Sequence, residues 1–222
     1  MAAWRVPEIT AAGLDGLMLR YPEPVGESLL AQLQATAECL RARPDYREVV
    51  PGYATIYLRL SDPAVTQAEA GNRLRERLAT LHAGALPELA SGRLHELPVR
   101  YGGRDGPDLE RVAAQSGLSS AEVIERHAGQ TYRVYAVGFM PGFAYLGLVD
   151  RAIAVPRLET PRSRVPAGSV ALADRQTAVY PAASPGGWNL IGYCALPLFE
   201  RRAMRGLLGH ADRVRFVPAG WG

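Results

Sequence analysis

The sequence predicts a two-domain α+β protein: an α+β module of a small antiparallel sheet carrying two helices, then a closed or nearly closed β-barrel. Three observations predict this. Two amphipathic helical stretches lie among strand-like runs in the first 90 residues, and two helices on one face of a small sheet is the economical way to bury them. The composition shifts near residues 90–92, which places the boundary between modules 1–91 and 92–222. Beyond it, short runs rich in β-branched and aromatic residues alternate with Gly/Pro turns, with only two small helical signals among them.

The elements follow in order. Residues Leu14 to Tyr21 read as a first strand. Val25 to about Arg43 reads as an amphipathic helix with Leu29, Leu33, Ala37 and Leu40 on one face and Pro44 just beyond its end. Glu48–Val50 and Ala54–Leu60 read as strands across a Pro51-Gly52 turn; Ile56, Leu58 and Leu60 make one face of the second apolar. Asp62-Pro63 reads as a helix start, Asp as the cap and Pro in the first helical position, with the helix running to about His82. Gly92 to Tyr101 opens the second module as a strand. A short helix opens at Pro107, capped by Asp105 or Gly106, and Gly117 ends it. Ser119-Ser-Ala-Glu122 is a capping box for another, which Gly129 closes. Gln130 to Phe139 alternates as a strand, and Arg213 to Val217 is the last one.

Composition excludes several function classes. All 25 basic residues are arginine. Without lysine the chain cannot carry a Walker-type phosphate loop, a Schiff-base lysine or a biotinylated lysine. The net charge is +3 and Arg is interleaved with Asp and Glu, so no nucleic-acid partner is expected. No apolar run reaches the roughly 18 residues of a membrane span. The first residues lack the apolar core of a secretory leader, and Cys39 and Cys194 match no metal or redox spacing. A cytoplasmic protein with free thiols is expected.

The candidate site lies between His127 and Gly192, where Gly and Pro are dense but aromatics fill the gaps. That pattern indicates shaped loops on a rigid sheet. Arg157 and Arg162, framed by Pro156, Pro161 and Pro166, present planar forks suited to a carboxylate or phosphate. The alternative is pairing with Glu159 or Asp150. Pro141, Gly142, Phe143 and Tyr145 are candidates for an apolar pocket beside them, with Phe139 as a plug of the barrel mouth. Gly186 and Gly187 permit close approach of a ligand or a partner protein, Asn189 can donate and accept, and Trp188 reads as structural. His127 is the candidate acid or base, or else a charge partner at a helix end. Asp108 is the second catalytic candidate, or else a first-turn helix acid. His82, His95 and His210 do not cluster, so no metal site is expected.

Five motifs in one order carry a resemblance: Tyr101-Gly-Gly-x-x-Gly-Pro-Asp-Leu109, Gly138-Phe-Met-Pro-Gly-Phe-Ala-Tyr-Leu146, Pro156-Arg-x-x-Thr-Pro-Arg162, Val165-Pro-Ala-Gly-Ser169 and Ser184-Pro-Gly-Gly-Trp188. Together they resemble the KipI family, which comprises the B component of 5-oxoprolinase and the first component of allophanate hydrolase. The match is dense from Leu97 to Pro218 and extends to the first 90 residues only in layout. Asp174, where a glycine is usual, and Gly209-His-Ala-Asp212 depart from the pattern. The resemblance implies that the second module is a cyclophilin-like barrel. It implies ATP-dependent opening of 5-oxo-L-proline to L-glutamate together with a KipA-like C component and a lactam-utilisation-type A component. The lactam is a poor electrophile; phosphorylation of its oxygen makes that oxygen a leaving group, and water then opens the ring. Two other roles occur among similar proteins: the carboxyltransferase half-module of a biotin-dependent urea-type carboxylase, and a non-catalytic inhibitor of a sporulation-type histidine kinase.

Overall fold

Alternation of apolar and polar residues builds the first sheet. The computed structural model describes residues 4–22, 24–86, 88–89 and 92–221. The chain divides into two compact units, residues 1–90 and 91–222. Of the two residues at the expected boundary, Ser91 lies outside the described residues.

In the first unit, β1 (Glu8–Ala12), β2 (Gly16–Arg20), β3 (Tyr46–Pro51) and β4 (Thr55–Leu60) form an antiparallel sheet in the order β1-β2-β4-β3. Helices α1 (Glu27–Arg41) and α2 (Gln67–His82) share one core with it. Leu29, Leu33, Ala37 and Leu40 meet Ile56, Leu58 and Leu60 there, all of them buried. Strand β1 was not expected; Glu-Ile-Thr-Ala-Ala is only partly buried and has no clean alternation to signal it. Helix α2 starts later than expected. Asp62 closes a turn by accepting from the Ala64 amide, and Thr66 caps the helix instead. Thr66 and Glu69 form a reciprocal capping box, which satisfies more of the orphan amides than Asp-Pro would.

In the second unit the strands are β5 (Leu94–Tyr101), β6 (Thr131–Val137), β7 (Ala144–Gly147), β8 (Arg162–Val165), β9 (Ser169–Ala173), β10 (Gln176–Val179), β11 (Ser184–Gly186), β12 (Asn189–Tyr193), β13 (Phe199–Glu200), β14 (Arg205–Gly206) and β15 (Arg213–Trp221). Seven of them close into a barrel in the order β10-β7-β6-β15-β5-β12-β9, with β9 paired to β10. Closure removes the unpaired edges of an open sheet. The pair β5–β15 is parallel; the other barrel pairs are antiparallel. The ribbons β8–β11 and β13–β14 stand apart from the barrel.

Helices α3 (Leu109–Ser116) and α4 (Ser120–Ala128) pack on β12 and β15 and add Val112, Ala113, Val123 and Ile124 to the barrel core. The capping box at Ser119 and Glu122 forms as the sequence predicts. Gly117 ends α3 with a left-handed φ of 67°. Helix α3 begins at Leu109 rather than Pro107, and Asp108 occupies the cap position without capping, because its carboxylate is engaged elsewhere. The two departures from the family pattern are accommodated locally. Asp174 takes φ 51° in the β9–β10 turn, a conformation that short polar side chains tolerate. Asp212 accepts from the Gly209 and Arg93 amides.

Strand β9 is buried on both faces. Val170 and Leu172 point into the barrel core, while Ala171 and Ala173 join a second cluster with Phe143, Val165, Tyr180, Trp188 and Leu190. Successive side chains on a strand leave by opposite faces, so this second cluster lies on the outer side of the barrel wall. The aromatic residues therefore do not plug the barrel mouth; they cover its flank.

Candidate functional site

Phe143 is the hub of the outer cluster. It is 2% exposed and meets Phe139, Tyr145, Tyr180 and Trp188 edge-on, with ring centroids 4.9–5.9 Å apart. Above it opens a cleft of about 310 Å³, walled by Phe139, Tyr145, Tyr180 and Trp188, with Arg157 and Gly186 at its edge. Three loops build it, the turn after β6, the proline-framed segment before β8 and the segment around β11, with Tyr145 from β7 and Tyr180 just past β10. Gly187 and Pro161 also line it.

Arg157 is the cation of this cleft. Its guanidinium lies 5.7 Å from the Trp188 ring centroid. Among the described residues it has no carboxylate partner: Asp150 pairs with Arg126 at 2.9 Å instead. Burial raises the Tyr180 pKa above the ordinary phenol value, although the charges of Arg157 and Arg162 oppose the shift. The phenol is thus protonated at neutral pH and available as a donor. Gly186 is required by this same phenol, since a Cβ there would stand 2.5 Å from the Tyr180 oxygen.

Other sequence candidates are placed differently. Arg162 does not line the cleft. Its Nη2 donates to Asp108 Oδ1 at 2.7 Å, and its Nη1 is buried without a hydrogen-bond partner among the described residues. Asp108, 6% exposed, also accepts from the Leu190 amide at 2.7 Å. Both of its carboxylate oxygens are thus engaged within the fold. Asn189 is fully buried; its amide donates to the Pro156 and Leu172 carbonyls and its oxygen accepts from Arg111. Both amide hydrogens are spent within the fold and the side chain is out of reach of solvent. What it does is hold the backbone next to Arg157. Together Asp108, Arg111, Arg162 and Asn189 tie the start of α3 to β8 and β12 and fix the loop that carries Arg157. Sequence reasoning misses Arg111; its only signal is its position just after Asp108 in the first turn of α3.

The remaining loop candidates serve packing. Gly142 has φ 82°, and a Cβ there would stand 2.7 Å from the Phe199 Cβ. Its freedom seats the turn on the β13–β14 ribbon rather than admitting a ligand. Pro141, exposed in the same turn, does not line the cleft.

His127 is corrected most sharply. It is 0% exposed, stacks on Phe216 at 4.5 Å, and bonds Tyr101 Oη at 2.8 Å and Thr177 Oγ1 at 2.9 Å. No substrate reaches it, and burial pushes its pKa down to about 3. It is a neutral core residue. A base whose folded pKa lies below its unfolded value near 6.5 takes up its proton preferentially in the unfolded chain. Its contribution is therefore intact above that pH and is lost as pH falls from about 6.5 toward 3. From pH 7 to pH 5 the wild type should lose about 2 kcal/mol more stability than His127→Gln, read from urea unfolding at both pH values. Equal losses would show that the imidazole is solvated.

The carboxyltransferase domain family, subdomain C and D, matches residues 7–208. A curated relative, the B component of 5-oxoprolinase from Escherichia coli O157:H7, is 41% identical over 207 residues, covering 93% of this chain and 93% of its own. The crystal structure of TTHA0988 aligns with a TM-score of 0.75 at 43% identity over 92% of this chain, which spans 40% of that longer one. The crystal structure of Kluyveromyces lactis urea carboxylase aligns over 96% of this chain and 22% of its own with a TM-score of 0.78. At 14% identity that likeness shows a common fold alone. The chain belongs to the carboxyltransferase subdomain C and D family, the family that includes the B component of 5-oxoprolinase.

Proposed function

We propose that this chain is the B component of an ATP-dependent 5-oxoprolinase, opening 5-oxo-L-proline to L-glutamate with a lactam-utilisation-type A component and a KipA-like C component. The observation that carries the reading is 41% identity to a protein of that name across 93% of both chains. The aromatic cleft supports it: flat apolar walls and Arg157, which has no carboxylate partner among the described residues, suit a small ring bearing a carboxylate. In the reaction, ATP transfers a phosphoryl group to the lactam oxygen. A first water adds at the activated carbon and the ring C–N bond breaks, giving the free amine and an acyl phosphate. A second water then displaces phosphate, which leaves with the former lactam oxygen, so both oxygens of the new carboxylate come from water. With no lysine and no Walker loop, this chain supplies part of the site and the partners supply the nucleotide chemistry.

The test is reconstitution. The purified chain with ATP and 5-oxo-L-proline should release no glutamate, and adding the A and C components should create the activity. Robust glutamate release by the lone chain would sink the shared-site reading. A second reading, a carboxyltransferase half-module, draws on the urea carboxylase fold. It needs a biotinylated carrier from outside, because this chain has no lysine to carry one. Biotin-dependent carboxylation of urea by the assembled complex would favour it.

A further inference from the structure

Phe139 is placed against its own stability twice over. Its φ of 72° lies in the left-handed region, where a bulky side chain is strained. The residue is 63% exposed, so burial does not compensate. The turn that holds it is locked from both sides. The Gly138 amide donates to the Phe143 carbonyl at 3.0 Å, and the Phe143 amide donates to the Met140 carbonyl at 3.1 Å. Gly142 in the same turn is wedged against Phe199. The Phe139 ring meets Phe143 edge-on at 5.3 Å and forms part of the cleft wall. Backbone strain held in place by its surroundings in this way clusters at active sites and ligand clamps.

We propose that Phe139 is a recognition residue of the cleft, preformed to lie against the flat face of a small cyclic carboxylate whose charge pairs with Arg157. Tyr180 supplies a phenol donor to a ligand carbonyl or carboxylate. The inference rests on the 5-oxoprolinase reading, which names such a ligand. Size agrees: at about 310 Å³ the cleft is at the lower end of small-molecule sites, which run from roughly 300 to 1,000 Å³, so it fits one ring better than a nucleotide.

The experiment uses the assembled enzyme with 5-oxo-L-proline and the variants Phe139→Ala, Phe139→Gly and Phe139→Tyr, with thermal melting of each full chain. Ala and Gly should each raise KM about tenfold, and Tyr should stay within about twofold, because the stacking face is what binds. Gly should melt about 2–4 °C above Ala: both lack the ring, and Gly alone relieves the left-handed strain. Wild-type KM in both Ala and Gly overturns the proposal while leaving the 5-oxoprolinase reading intact. Unchanged KM with a raised requirement for the partner components also overturns it, and makes the ring a contact with a partner. A wild-type assembly that does not turn over 5-oxoproline overturns the reading and the proposal together.

Discussion

Replacing Asp108 with alanine is expected to destabilise the second unit by about 3–5 kcal/mol. The carboxylate is 6% exposed and accepts two hydrogen bonds of 2.7 Å, from Arg162 Nη2 and from the Leu190 amide. Alanine leaves a guanidinium whose side chain is only 30% exposed, and whose Nη1 already lacks a hydrogen-bond partner among the described residues, with no counter-charge. It also strands a buried amide on β12. Asp108→Asn keeps the shape and an acceptor and should lose less. The double variant Asp108→Ala, Arg162→Met removes both charges and should recover part of the loss, since breaking a buried pair costs more than deleting it. Urea unfolding of the four proteins measures this. A single Asp108→Ala variant within about 0.5 kcal/mol of wild type would show that the pair is solvated. Arg162→Ala leaves the buried Asp108 carboxylate without its cation, so activity lost in that variant reports the scaffold before it reports a ligand.

Much of this architecture is legible in the sequence because its signals are local. Ile56, Leu58 and Leu60 alternate and share one core; Ser119 and Glu122 sit at capping-box spacing and form the box. Dense Gly/Pro punctuation between short strands anticipates a closed sheet, and the sheet closes. The site is less legible because its signals are not local. Arg157 and Arg162 share the same proline frame and the same chemistry in sequence, yet one faces a cleft and the other is spent on a carboxylate 54 residues away. Nothing in the sequence around either residue marks that difference; it follows from the β8–β11 register, which sets Arg162 opposite Gly186. His127 misleads for a related reason. Its place in the last turn of α4 suggests an exposed charge, but that turn packs on β15 and buries the ring against Phe216. Phe139 reads as a plug by its hydrophobicity, and only its backbone conformation and exposure, both tertiary facts, set it apart.

Arg157→Ala is expected to lower the activity of the assembled enzyme roughly tenfold to hundredfold while leaving the unfolding midpoint of the chain unchanged. The two halves of that expectation have separate causes. The side chain is exposed and touches the Trp188 face at 5.7 Å without an ion pair among the described residues, so its removal strands no buried charge. A charge-assisted hydrogen bond to a bound carboxylate contributes about 1.5–3 kcal/mol, and losing it gives an effect of that size. If the bond forms equally in the bound substrate and in the transition state, the loss appears in KM; if it strengthens as the ring opens, it appears in kcat. Arg157→Lys should recover little, because an ammonium reproduces neither the bidentate fork nor the stacking on Trp188. Rates measured against the concentrations of both 5-oxoproline and the partner components separate the alternatives. Full rate at saturating partner would make Arg157 an interface residue. Rates within twofold of wild type at all concentrations would leave it a solvated surface arginine and remove the charge-based case for an anionic substrate in the cleft.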